Sequence, residues 1–185
     1  MAEYYLIAQL PSLDGIGDGV SMPITEERFC ELCEQNLGKK AFGELKSLTL
    51  SPSLEPEPSG SSLISAWNAG ERDLRLALGK KRADKLNKSF ALSHDAVPRE
   101  VLQTAEAAVE IDNPMEAERF LLRHRLNFLE TLRPTDAFSV EYLFYYGLKL
   151  KLLSRMRRFD TVQGKAAYQH IYNSVLNGDR AEVSR

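Results

Sequence analysis

Chemically versatile side chains are scarce in this chain: it has two cysteines, three histidines and one tryptophan, and no large excess of charge of either sign. Each shortage removes a class of function. Both cysteines fall in Cys30-Glu-Leu-Cys33, and a zinc or redox reading of C-x-x-C needs a second ligand pair or a thioredoxin-like βαβ setting, neither of which the sequence supplies. They read as reduced, buried thiols of a helix, as suits a cytoplasmic protein. His94, His124 and His170 have no second ligand or nucleophile at a diagnostic spacing and read as surface or boundary histidines; the alternative, a metal-dependent enzyme, requires His and carboxylate ligands to converge from distant helices. No nucleophile elbow, zincin helix, EF-hand loop or dinucleotide fingerprint occurs. Asp14 to Gly19 is rich in glycine but lacks the Lys-Ser/Thr of a phosphate loop, and reads as a turn. The paired carboxylates Glu26-Glu27, and Glu116 with Glu118, fall in the first turns of expected helices, where they complement the helix dipole. The chain is therefore expected not to be an enzyme and to need no cofactor.

Two further absences concern the surroundings. A formal charge of -2 and an isoelectric point near 6.0 weigh against non-specific nucleic-acid binding, which calls for a concentrated basic face. No apolar run approaches the roughly 20 residues of a membrane-spanning helix. Met1 to Leu10 contains Glu3 and no basic flank, unlike a secretory signal. A cytoplasmic protein is expected.

What the sequence does have is the composition of a folded domain: 43% hydrophobic and 27% charged residues over 185 positions. That length suits one domain, residues 1 to 185, with a Pro/Ser-rich internal loop at 51 to 61. Charge is unevenly placed. Residues 1 to 70 hold four Lys/Arg against ten Asp/Glu, and the remainder twenty against sixteen.

Apolar spacing predicts helices along most of the chain. Tyr4 to Leu10 is too short for periodicity to decide between a helix and an extended segment. Thr25 is an N-cap candidate, Ile24 and Phe29 form a hydrophobic staple, and Gly38 is expected to close that helix. Ala41, Phe42, Leu45 and Leu48 continue the spacing into a second short helix. A long helix follows from Ser62 to about Asn87. Val101, Leu102, Ala105 and Val109 mark another after Pro98, and Asn113-Pro-Met-Glu116 starts the next with an N-cap residue, proline and an acidic third position. Val140 to Phe159 is apolar on every side, as in a helix at the centre of a bundle. A last helix is expected between Asp160, with Gln163 completing its capping box, and Asn177-Gly178. Six or seven helices with no alternating strands make an all-α, single-domain bundle.

The long helix carries the candidate site. Leu63, Trp67, Leu74 and Leu78 lie on one stripe, but the stripe continues as Lys81, Lys85 and Lys88. Either Gly79 breaks the helix, or its second half extends past the core and offers cations to an acidic partner. The candidate contact residues are Trp67, Arg72, Arg75, Lys81, Arg82, Lys85 and Lys88. A solvated helix face, a core role for Trp67, and an unrelated adaptor that binds an acidic protein or, with less support, RNA are the alternative readings. The cations have no interleaved aromatic platform for stacking bases, Phe90 being the nearest ring.

Three segments carry a resemblance. Trp67-Asn-Ala-Gly-Glu71-Arg72-Asp-Leu74-Arg75, followed by Lys81-Arg82-Ala83-Asp84-Lys85-Leu86, resembles the Trp...Glu-Arg-x-Leu-Arg...Arg-Ala-x-Lys-Leu pattern of an uncharacterised bacterial family associated with V-type ATPases. Tyr4-Tyr5-Leu6-Ile7-Ala8-Gln9-Leu10-Pro11 is similar to that family's start. Phe138-Ser-Val140-Glu-Tyr-Leu143, Leu148-Lys-Leu150-Lys151-Leu152-Leu153-Ser-Arg155, then Phe159-Asp160 and Gly164, is similar to its C-terminal signature. The family is distantly similar to the C-type subunits of V-type ATP synthases and ATPases, whose helical members join the central stalk to the membrane ring. The resemblance implies a non-catalytic coupling or accessory factor with stalk or membrane-ring subunits as partners, reaching the inner face of the membrane through them.

Overall fold

Apolar stripes separated by caps and prolines fold into helices throughout the computed structural model, which describes residues 2–16, 21–55, 58–90, 97–157, 168–169 and 171–173. In chain order the helices are α1 (Ala2–Gln9), α2 (Glu26–Asn36), α3 (Lys39–Lys46), α4 (Ser62–Lys85), α5 (Arg99–Glu110), α6 (Pro114–Thr131) and α7 (Val140–Arg157). Residues 168–169 and 171–173 are also helical, whereas Asp160, Gln163 and the end of the expected last helix lie outside the described residues. No strand occurs among the described residues, so the fold is all-α as expected. No described helix is long and apolar enough to cross a membrane.

The caps work as their residue types dictate. Thr25 accepts a hydrogen bond from the amide of Arg28, Ser61 from Ile64 and Asn113 from Met115, so an otherwise unpaired first-turn amide of α2, α4 and α6 is satisfied. Pro114 opens α6 where its missing N–H costs nothing. The start of α4 gains a second acceptor from a distant element. A carboxylate oxygen of Glu141, in the first turn of α7, lies 2.8 Å from the Ser61 hydroxyl and 3.3 Å from the Leu63 amide.

Three local expectations resolve differently in the structure, or more sharply. The N-terminal run is a helix, not an extended segment: Leu6 is buried while Ile7 and Leu10 pack on the same core, a helical spacing, and Tyr4 and Tyr5 stay exposed. Gly38 does not close α2 in a left-handed conformation. Its φ of -67° is extended backbone at the N-cap of α3, and Leu37 ends α2 instead. Gly79 does not break α4, which continues to Lys85.

Two apolar clusters organise the packing. The larger surrounds α7, whose residues 143 to 150 are all buried, and collects Phe29 and Cys33 of α2, Leu45 of α3, Trp67 of α4 and Leu122 and Leu129 of α6. The smaller lies between α4, α5 and α6 and holds Leu74, Ala77, Leu78, Ala105, Ala108 and Leu121. Among the described residues, only α4 and α6 contribute buried residues to both clusters. The loop after α3 lies along α4, with Pro52 buried and its carbonyl accepting a hydrogen bond from Arg75.

Candidate functional site

The stripe on α4 has an interval of seven positions between Trp67 and Leu74, and Glu71 fills it. This carboxylate is buried at the level where the two clusters meet, and its Oε1 accepts a hydrogen bond from Arg125 Nε of α6 at 2.8 Å. Its Oε2 is buried without a partner. Burial pushes the Glu71 carboxyl above its usual range, opposed by the adjacent Arg125 charge and hydrogen bond. Arg125 also lies 3.9 Å from Glu118, which receives two hydrogen bonds from Arg155 of α7 at 3.1 and 2.8 Å. A chain of alternating charges thus connects α4, α6 and α7. Just before Glu71, Gly70 lets α4 approach α6 so closely that an added Cβ would collide with the ring of Phe128.

A second ionic node holds the N-terminal loop to the bundle. Lys149, in the central part of α7, extends Nζ to Asp14 Oδ1 at 2.6 Å, Glu130 Oε1 at 2.7 Å and the Tyr145 hydroxyl at 3.2 Å. The same hydroxyl donates to Glu130 at 2.7 Å, and Tyr146 donates to the carbonyl of Pro11 at 2.8 Å. The Lys149 hydrogen bond holds the Asp14 carboxyl below its usual range. For Glu130, burial pushes upward but is outweighed by the Lys149 and Tyr145 hydrogen bonds, so its carboxyl is also lowered. Burial opposes the charge on Lys149, yet these carboxylates and the tyrosine hydroxyl raise its pKa overall. Neither node was singled out as a site from the sequence, although both leave traces there. Glu71 occupies the gap in an apolar stripe, and Lys149 interrupts the apolar Leu143 to Leu153 run.

The seven candidate contact residues separate into distinct environments. Trp67 is fully buried, its indole N–H donates to the carbonyl of Thr49 at 3.0 Å, and its ring packs beside Phe128. It is a core residue, and the expectation that it forms part of a contact surface is corrected. Arg72 is half-buried beside Asp73, and Arg75 is engaged with Pro52. Lys81 lies 3.0 Å from Glu106 of α5, and Lys85 donates to the carbonyl of Val109 at 2.9 Å, near the negative end of the α5 dipole. This explains why the apolar stripe turns basic: α5 lies against α4 at that point and supplies both the carboxylate and the unpaired carbonyl. The acidic counterpart that Lys81 calls for is inside the chain. Arg82 and Lys88 remain exposed, with no ion pair among the described residues.

Beside those two cations, the ends of α4 and α5 and the start of α6 enclose a groove of about 580 Å³. Leu86, Val109, Ile111, Ala117 and Leu121 make it largely apolar, with Arg82 and Lys85 on one wall and Glu118 on another. Leu86 is 64% exposed and Phe90, which lies over Gly79, is 41% exposed. A groove of this size and lining can receive an apolar ligand or the side chains of another polypeptide.

The residues weighed for chemistry are placed as follows. Among the described residues no group of three or more His, Cys, Asp or Glu side chains is positioned to hold a metal ion. His124 is half-buried, and burial first, then the Arg125 charge, lowers its pKa. His94 and His170 lie outside the described residues. Both cysteines are free, and burial, reinforced by neighbouring Cys30, pushes the Cys33 thiol up to about 12, which keeps it protonated and unreactive. No family model, curated protein or solved structure matches the chain.

Proposed function

We propose that this chain is a non-catalytic coupling or accessory subunit of a V-type ATPase, cytoplasmic and held at the inner face of the membrane through its partners. One observation carries the reading beyond the resemblance itself: several charged residues in the resembling segments tie a helix to another helix or to a loop. Glu71 bonds α6, Arg75 the loop after α3 and Lys85 the end of α5; Glu141 caps α4, while Lys149 and Arg155 anchor α7 to its surroundings. Polar residues spent on cross-linking helices stiffen a block, and stiffness is what a part that transmits force or sets spacing between larger subunits requires. In this role the protein hydrolyses nothing itself and contacts stalk or membrane-ring subunits through its helical surface.

The test is a native pull-down of the tagged, full-length chain from its own cells under mild conditions. Stalk or other ATPase subunits are expected to co-purify. Their absence from preparations in which the ATPase itself stays assembled would overturn the proposal.

A further inference from the structure

We infer that the groove at the joined ends of α4, α5 and α6 is a self-association surface, where two copies of this chain meet about a two-fold axis. The patch combines an apolar centre with edges of opposite charge. On the α4 side stand Lys85 and the exposed Arg82 and Lys88. On the other side, residues 100 to 118 contain six Asp/Glu and no Lys or Arg. Three of these, Glu110, Asp112 and Glu116, are exposed and interleave along the chain with the lining residues Val109, Ile111, Pro114 and Ala117. Between the edges lies the groove, and at its rim Leu86 is 64% exposed.

This charge pattern decides the occupant. A partner segment of predominantly one sign would be attracted by one edge and repelled by the other. A second copy related by a two-fold axis satisfies both edges at once, because the basic edge of each faces the acidic edge of its mate, as an isologous contact demands. Within one copy the same two segments already attract each other, through Lys81 and Glu106 at 3.0 Å. Leu86 of each copy then inserts into the apolar groove of the other and removes its exposed surface from water. The inference does not depend on the ATPase reading, because a chain unrelated to that machine would present the same surface.

The test is sedimentation equilibrium on the full chain from low micromolar to several hundred micromolar, with circular dichroism to confirm that each variant is folded. The wild type is expected to pass from monomer to dimer over this range. Arg82→Glu/Lys88→Glu reverses one edge and Glu110→Lys/Asp112→Lys the other, and each is expected to raise the dissociation constant by at least about tenfold. Mixing the two variants restores opposite charges at both edges of a heterodimer, so the mixture is expected to recover wild-type association. Leu86→Glu is expected to be monomeric. A wild type that remains monomeric throughout the range, or a mixed sample that associates no better than its components, would overturn the inference. So would reversed-charge variants that dimerise like the wild type.

Discussion

Glu71 places a carboxylate with one satisfied oxygen in the interior of the bundle. Glu71 is 1% exposed, and among the described residues its ionic partner within hydrogen-bonding distance is Arg125. Truncating one member of a buried pair leaves the other charge desolvated and costs roughly 3–5 kcal/mol. Arg125→Met is therefore expected to lower unfolding free energy by about 3 kcal/mol at neutral pH. Glu71→Gln should cost less, about 1–2 kcal/mol, because it leaves no buried charge on α4 and Arg125 keeps Glu118 nearby. The two losses should also differ in pH dependence. A carboxyl whose folded-state pKa is raised contributes stability that is fully present below its unfolded pKa and is lost as pH rises through the folded value. Without Arg125 that pKa rises further, so the deficit of Arg125→Met should shrink as the medium is acidified toward the ordinary glutamate range. Urea unfolding of both variants at neutral and acid pH measures this. Equal, pH-independent losses would show that the buried charge is not what makes the site costly to disturb.

At the scale of elements, α4 is the longest helix among the described residues, and it packs against α5, α6 and α7. Gly70 and Gly43 offer a matched pair of tests. Replacing a helical glycine by alanine usually stabilises by about 1 kcal/mol, and Gly43, exposed on α3, has open space where a Cβ would go. Gly43→Ala should therefore raise the unfolding midpoint. Gly70→Ala would drive a methyl into Phe128, and overpacking of that kind costs roughly 1–3 kcal/mol, so its midpoint should fall. Thermal unfolding of the two variants decides the matter, and a stabilised Gly70→Ala would mean that α4 and α6 do not approach this closely. The contrast also shows how far the sequence could be read. Thr25, Asn113-Pro114 and the stripe through Leu63, Trp67, Leu74 and Leu78 are local signals, because caps and periodicity depend on neighbours in the chain. Gly70 against Phe128, Glu71 with Arg125 and Lys85 on Val109 join residues on different helices, and no spacing along one helix reveals which neighbour it meets. That is why the stripe can be followed along the sequence into Lys81 and Lys85 while the cause of its change, the presence of α5, is not among the readings the sequence offers: a break at Gly79, a solvated face or an acidic partner.

For the molecule as a whole, the Lys149 node governs how stability should vary with pH, because it fastens the segment around Asp14 and the end of α6 to the helix at the centre of the larger cluster. Asp14 and Glu130 have lowered folded-state pKa values, so they contribute stability present above their unfolded values and lost as pH falls through the folded ones. Lys149 has the opposite sign: its pKa is raised, and its contribution is present below the ordinary lysine range and lost as pH rises through the folded value. The node is thus complete at neutral pH and weakened at both extremes. Glu71 tilts the acid side in the other direction, since protonation relieves its burial. Lys149→Met keeps most of the apolar stem in the bundle while removing the charge, and it returns Asp14 and Glu130, whose side chains are 60% and 41% exposed, to solvent rather than stranding them. The substitution should accordingly cost little at neutral pH and flatten the acid slope of the unfolding midpoint. Comparing the midpoints of wild type and Lys149→Met from neutral pH down through the carboxylate range isolates the node. Parallel slopes would mean that the acid sensitivity arises elsewhere, whereas a flatter slope in the variant would assign it to the one lysine that joins the N-terminal loop, α6 and α7.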